Sequence, residues 1–180
     1  MTSTAKLWWV VRAWLLMAAT MLAGCSAELK DYKASQPAFD LFGYFSGHTQ
    51  AWGMVQDYTD KQTRRFEVDI VGTVSGDVLT LVEDFEFDDG EQSQRIWTIT
   101  RTGEGMYQGQ ADDIIGVATG QEIGNALQWQ YDFLLKTDDS EIEVTFDDWM
   151  YRQDETRLFN VTTIRKFGIE VGKVTLFFSK

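Results

Sequence analysis

The chain contains very little cysteine, histidine and proline. Its 180 residues include one cysteine (Cys25), one histidine (His48) and one proline (Pro37). A single cysteine excludes a disulfide within the chain, and a single histidine excludes a zinc site built from Cys and His ligands. The sequence also lacks a phosphate-binding loop, a dinucleotide fingerprint and a G-x-S-x-G elbow. These absences remove most of the common enzyme classes, and the early position of Pro37 leaves later strands uninterrupted.

Basic residues are also scarce. The chain has 16 Lys and Arg against 28 Asp and Glu, a formal net charge of −12 at pH 7. Such an acidic chain is a poor partner for nucleic acid or for anionic lipid headgroups. Its length indicates one domain, and an aromatic content of 14% supplies enough bulk for a core. We expect a monomer that carries no cofactor and binds no metal.

No apolar run is long enough to span a bilayer, which takes about 20 residues. The run 13–23 is apolar apart from one threonine, and Lys6 and Arg12 precede it. It ends in Leu22-Ala23-Gly24-Cys25, the order of aliphatic, small, small and cysteine that is typical of a bacterial lipobox. We therefore predict a signal peptide over 1–24 and lipidation of Cys25. A plain signal peptide or an N-terminal membrane anchor is the alternative.

The residue after Cys25 is Ser26, which resembles the export signal of the enterobacterial lipoprotein sorting rule. We expect a cell-envelope protein held in the outer membrane by its acyl chains and facing the periplasm. Residues 25–37 are mostly small and polar and are predicted to form a lipidated tether. The folded domain is predicted to cover 38–180.

From His48 onward, apolar and polar residues alternate, with turn signals every 8 to 12 residues. The pattern predicts about nine or ten antiparallel strands. Phe39–Phe45 precedes them, and we predict a short helical turn there, capped by Asp40 and closing one end of the domain. The segment Gly120–Asn125 is predicted to be a turn. Strands of about ten residues favour an up-and-down, lipocalin-like barrel; a β-sandwich is the alternative.

One hairpin specifies its own register. Its apolar side chains lie at odd positions of both strands, so the two apolar faces meet only across an odd-numbered loop. Asp88-Asp89-Gly90 supplies a three-residue loop with glycine at the left-handed position. This register places Leu81 opposite Trp97 and Glu83 opposite Arg95. It predicts an inward ion pair between Glu83 and Arg95.

The inward face of the predicted barrel carries a candidate binding site. We predict that an apolar or amphipathic small molecule contacts Glu83, Phe85, Arg95, Trp97, Trp129, Tyr131 and Asp148. Arg95 is the expected contact for an anionic headgroup, and Asp148 the expected acceptor for the indole N–H of Trp129. A side-chain-filled barrel would instead serve as a structural or adaptor lipoprotein. A hydrolase using Glu83 and Asp148 as its two carboxylates is a further alternative.

Several separate motifs resemble one protein family. They are Ala51–Asp57, Arg64-Arg65-Phe66, Arg95–Arg101, Phe146–Tyr151 and Lys166-Phe167-Gly168. With the lipobox, they are similar to a family of uncharacterised proteobacterial lipoproteins, known only as a domain of unknown function. The resemblance implies a lipidated envelope protein with a lipocalin-like β fold. It implies no catalytic residues.

Overall fold

A computed structural model describes residues 27–136 and 141–180. The predicted signal peptide over 1–24, the lipobox and the lipidation of Cys25 therefore lie outside the described residues. No helix within the described ranges is long and apolar enough to cross a membrane.

Ten antiparallel strands form a closed barrel in which every strand pairs with its sequence neighbours and β1 pairs with β10. The strands are β1 Gly47–Asp57, β2 Gln62–Ser75, β3 Val78–Phe87, β4 Gln92–Gly103, β5 Met106–Gln110, β6 Ile114–Ile123, β7 Ala126–Lys136, β8 Glu141–Arg152, β9 Arg157–Lys166 and β10 Ile169–Ser179. Closure removes the exposed edges that an open sheet would leave. The predicted all-β, up-and-down barrel is confirmed, and the β-sandwich alternative is wrong.

A short helix closes one end of the barrel. It is α1, Leu41–Phe45, and its N-cap Asp40 accepts a hydrogen bond from the backbone N–H of Gly43 at 3.0 Å. The ring of Phe45 meets Phe178 of β10 edge-on, with 5.6 Å between ring centroids. The hydroxyl of Tyr44 donates to the carbonyl of Thr156 in the β8–β9 loop. The helical turn predicted before the first strand is thus present, and its aromatic side chains fill this end of the barrel.

The segment before α1 differs from the prediction. A short 3-10 helix, Leu29–Tyr32, packs on the outside of β6 and β7. The Tyr32 ring centroid lies 5.9 Å from that of Trp149 and 5.5 Å from that of Tyr151, and Ser35 Oγ accepts from the backbone N–H of Asn125. The tether predicted over 25–37 is therefore wrong from residue 29 to residue 35, because aromatic packing and hydrogen bonds hold this stretch to the barrel wall.

The predicted register of the β3–β4 hairpin is confirmed. Leu81 lies opposite Trp97, and Glu83 lies opposite Arg95. The backbone N–H of Phe87 donates to the carbonyl of Glu91, so the loop contains three residues, and Gly90 has a φ of +86°. A positive φ at this position is accessible to glycine with little strain.

The turn predicted over Gly120–Asn125 is too long. Strand β6 continues to Ile123, and only Gly124 and Asn125 connect it to β7. Gly120 lies opposite Trp129, and a Cβ atom at Gly120 would stand 2.0 Å from the indole ring. The glycine is needed here for the close approach of a ring from the neighbouring strand rather than for a turn.

Candidate functional site

Inward-facing side chains near α1 form a dry core, which we call the closed half. Most of its large apolar members are no more than 9% exposed, with Met150 only partly buried; the buried ones include Ile70, Leu79, Leu81, Trp97, Ile99, Tyr107, Leu127, Trp129, Leu158 and Phe178. Trp97 lies at its centre and meets the rings of Trp129 and Tyr131 in T-shaped contacts at 5.7 and 5.3 Å. Such edge-to-face contacts specify ring orientation as well as burying area. This half is a packed core without room for a ligand.

Toward the other end, most inward-facing apolar side chains are only half-buried, although Phe66 and Val144 are 8% and 4% exposed, and we call this region the open half. Its apolar members are Val55, Phe85, Phe87, Ile114, Phe133, Phe146, Val174 and Leu176. A side chain that points into a barrel keeps exposed surface only where the interior beside it is not filled by protein. The exposed surface of these aromatic and aliphatic side chains indicates unfilled space beside them, and we call this space the cup.

A charged cluster lies where the two halves meet. Arg95 Nε donates to Oδ2 of Asp113 at 2.7 Å, and Nη2 lies 2.7 Å from the same oxygen in an ion pair. Its guanidinium lies between two rings, 5.7 Å from the centroid of Phe85 and 5.2 Å from that of Phe133. The predicted ion pair between Glu83 and Arg95 is wrong. Although the two residues are opposite in register, the guanidinium extends to Asp113 in the β5–β6 loop.

Glu83 is left without a direct partner. No described side chain forms an ion pair or donates a hydrogen bond to its carboxyl group. Burial raises the pKa of Glu83 to about 7; the charge of Arg95 lowers this pKa, while those of Asp113 and Asp148 raise it. Glu83 is enclosed by the barrel but half-buried, so its carboxyl group borders the cup. It therefore titrates near neutral pH at an accessible position.

Asp148 lies deeper, at 6% exposure, and bonds to the hydroxyl of Thr162. Thr162 Oγ also lies 3.0 Å from Oδ1 of Asn160. The hydroxyl of Thr162 has one proton and can donate to only one of these two oxygens. Both contacts are hydrogen bonds at the same time when Asp148 is protonated and donates to Thr162 Oγ. Burial raises the pKa of Asp148 to about 6, against the lowering effect of the Thr162 bond. The register places Asp148 opposite Trp129, as expected, but the carboxyl group bonds to Thr162 rather than to the indole.

The mouth of the cup carries a second arginine. The guanidinium of Arg64 lies 3.5 Å from the ring centroid of Phe87 and forms ion pairs with Asp89 and Glu91. Asp89 lies within the three-residue loop, and Glu91 directly follows that loop. Arg95 and Arg64 therefore each form an ion pair with a carboxylate, although Nε of Arg64 is buried without a hydrogen-bond partner among the described residues.

The structure brings all the residues of the predicted site together. The floor of the cup is formed by Trp97, Trp129 and Tyr131, and one of its walls includes Phe85. The charged cluster includes Glu83, Arg95 and Asp148. Asp113 was missed, because the pair Asp112-Asp113 has the composition of a solvated turn. Thr162 and Asn160 were missed because they are ordinary alternating positions of β9. The one available signal was that they alternate with Leu158 along β9 and therefore share its inward face.

Two further concave surfaces lie on the outside of the barrel. Clefts of about 590 and 640 Å³ are lined by residues of β1 to β4, and the second also by Thr175 and Phe177 of β10; both include Trp52, Glu67 and Glu86. Glu67 and Glu86 are directly opposite each other, as are Asp69 and Asp84. Like charges in such pairs repel and leave these clefts acidic.

The acids of the barrel do not form a metal site. Within 27–136 and 141–180, no group of three or more His, Cys, Asp or Glu side chains is placed to hold a metal ion. The cluster of Glu83, Arg95 and Asp113 is instead a mixed-charge site bordered by aromatic rings.

A closed antiparallel barrel with a plugged end and a cup at the other is the architecture of a lipocalin-like protein. The chain belongs to the family described as Protein of unknown function (DUF3833), whose model matches residues 19–180. Among solved structures, it is similar to the S-type phycobiliprotein lyase CPES from Guillardia theta, with a TM-score of 0.51 and 10% identity over 77% of this chain and 88% of that chain. At this identity, the likeness shows the fold alone. No curated protein matches the chain.

Proposed function

We propose that the protein binds an apolar or amphipathic small molecule in the open half of the barrel and acts as a monomeric carrier rather than as an enzyme. The observation that supports this most strongly is the partial exposure of inward-facing rings such as Phe85, Phe133 and Phe146. A barrel that served only as a scaffold would gain stability by filling this space. Apolar walls with a few convergent polar groups are typical of small-molecule sites.

The arrangement of the two carboxyl groups favours binding over hydrolysis. Asp148 is enclosed and bonded to Thr162, so it has no free access to a substrate or to an attacking water. Glu83 alone borders the cup. A two-carboxylate mechanism needs both groups to flank the bond that is broken. The phycobiliprotein lyase that shares the fold is only 10% identical, so its activity is not carried over to this chain.

The proposal is tested with a neutral dye that fluoresces in apolar surroundings, such as N-phenyl-1-naphthylamine, titrated into the purified protein. We expect saturable binding that the variant Val174→Trp weakens by roughly tenfold or more, because an indole at this half-buried inward position occupies the cup. The matched control is Trp52→Ala, which alters the outer clefts and leaves the cup unchanged.

Native mass spectrometry of the protein purified from its own host provides the second measurement. A co-purifying mass that is lost in Val174→Trp supports the proposal. Saturable dye binding that is lost in Trp52→Ala but retained in Val174→Trp would place the site in an outer cleft. Absence of dye binding in the unaltered protein would favour the adaptor alternative.

We also propose that Cys25 is lipidated and holds the barrel on the outer membrane, facing the periplasm. The support is the lipobox together with the position of Leu29, which packs on the barrel only four residues after Cys25. Four residues span at most about 14 Å. The barrel would therefore lie directly against the membrane surface.

The variant Cys25→Ser tests the anchor. We expect it to be released from the membrane fraction or to remain unprocessed, because the acyl chains that hold it need the thiol. Membrane association and a mature mass equal to those of the unaltered protein would exclude the anchor. Dye binding should be unaffected, so this test is independent of the ligand proposal.

A further inference from the structure

The polar groups of the cup have an uneven balance of charge. Its single deep cation, Arg95, is paired with Asp113, and the remaining ionisable groups that face Glu83 are Asp148 on β8 and the phenol of Tyr131 on β7. Three carboxyl groups therefore surround one guanidinium. A ligand anion would add a fourth acidic group beside these three, in surroundings where water screens charge poorly.

Hydrogen-bonding capacity is also left over. Oδ1 of Asp113 is buried and has no hydrogen-bond partner among the described residues. Buried polar atoms are rarely left unsatisfied, so such atoms indicate that water or a ligand completes the site. Glu83 adds a carboxyl group without a hydrogen bond.

The walls beside these acceptors already accommodate a cation. Phe85 and Phe133 flank the guanidinium of Arg95, and the faces of aromatic rings attract positive charge. Glu83 and Phe85 lie on the same inward face of β3, two residues apart, so the carboxyl group and the ring border the same space.

We propose that the ligand of the cup is a cationic amphiphile, whose alkyl or ring portion fills the open half and whose ammonium group pairs with Glu83 beside Phe85. This inference rests on the proposed function and specifies its ligand class. It replaces the expectation that Arg95 contacts an anionic headgroup, because the guanidinium is already hydrogen-bonded to and ion-paired with Asp113. Binding converts protonated Glu83 to the carboxylate, so one proton leaves the protein as the ammonium group arrives.

Three probes with one chain length test the ligand class: decylamine, decanol and decanoate, measured by displacement of the neutral dye at about pH 6 and about pH 8.5. We expect decylamine to bind roughly tenfold more tightly than decanol, a difference of about 1.4 kcal/mol, and decanoate to bind more weakly than decanol. Calorimetry in two buffers of different ionisation enthalpy should show proton release with decylamine at the lower pH and less at the higher pH.

Glu83→Gln keeps the shape of the protonated side chain and removes its charge. We expect this variant to lose both the preference for decylamine and the proton release while it still binds decanol. The matched control is Asp84→Asn, which changes net charge equally at the adjacent, outward-facing position. It should leave all three affinities within about twofold.

Equal affinities for the three probes, tighter binding of decanoate, or no effect of Glu83→Gln would overturn the inference while leaving the cup as a binding site. Failure of decylamine to bind, with the dye still bound, would overturn it as well. Failure of the dye and all probes would instead overturn the proposed function itself.

Discussion

The two halves of the barrel are built by the same strands and by the same alternation of inward and outward residues, yet they differ in packing. Strand β7 passes through both: Trp129 in the closed half is 5% exposed, whereas Phe133, four residues later on the same face, is half-buried. The closed half is filled by α1 and by interlocking rings, and the open half has no corresponding helix among the described residues. One half therefore supplies stability, and the other leaves space for a ligand.

The largest expected effect comes from truncating one ring in each half. Trp129→Ala should lower the free energy of unfolding by about 3–5 kcal/mol, because it leaves a cavity among Trp97, Tyr131 and the strands around them. Phe133→Ala, its matched control on the same strand, should cost less than about 2 kcal/mol because water already reaches that side chain. Urea unfolding monitored by circular dichroism measures both. Equal losses would contradict the division into two halves.

The second effect probes the close packing of the closed half. Gly120→Ala should cost about 2 kcal/mol, because its Cβ atom would overlap the buried ring of Trp129. Gly116→Ala serves as the control: it lies at a φ of +74° with nothing within 4 Å of its Cβ position, so it carries backbone strain without a collision. If Gly116→Ala proves the more costly of the two, the ring does not need the space at Gly120.

The third effect is a dependence of stability on pH. The pKa of Glu83 is raised to about 7, and that of Asp148 to about 6, so the folded chain binds these protons more tightly than the unfolded chain. Their contribution to stability is complete below about pH 4 and is lost as the pH rises to about 7. Because Glu83 is half-buried, we expect Glu83→Gln to reduce this loss by on the order of 1–2 kcal/mol. Melting temperatures from about pH 5 to about pH 8.5 measure it, and an unchanged slope in the variant would exclude the effect.

The smallest expected effect lies at the mouth of the cup. Gly90→Val should cost about 1 kcal/mol, because a β-branched residue tolerates a φ of +86° poorly, while nothing stands within 4 Å of its Cβ position. Chemical denaturation gives the value. A stability equal to that of the unaltered protein would mean that the loop can adopt another turn.

Prediction from the sequence worked best where the deciding interactions are local. The β3–β4 register followed from the parity of apolar residues and the length of one loop, and both are properties of a few adjacent residues. Asp40 capping α1 is similarly local. Prediction was wrong at Gly120, because a ring from the neighbouring strand requires the glycine there. It was also wrong for the pairing of Glu83 with Arg95, because Arg95 pairs with Asp113 from a loop two strands away.

The sequence by itself therefore determined that this chain folds as an antiparallel barrel, which side chains face inward and that charged groups are among them. Alternation with period two is enough for this, because burial of one face selects one register. The tertiary structure alone decided where the interior is filled and where it is open. Leu127 and Leu176 are the same residue type, both inward-facing, yet the first is 1% exposed and the second half-buried. Their difference depends on which distant side chains reach the same space, and spacing along the chain carries no record of that.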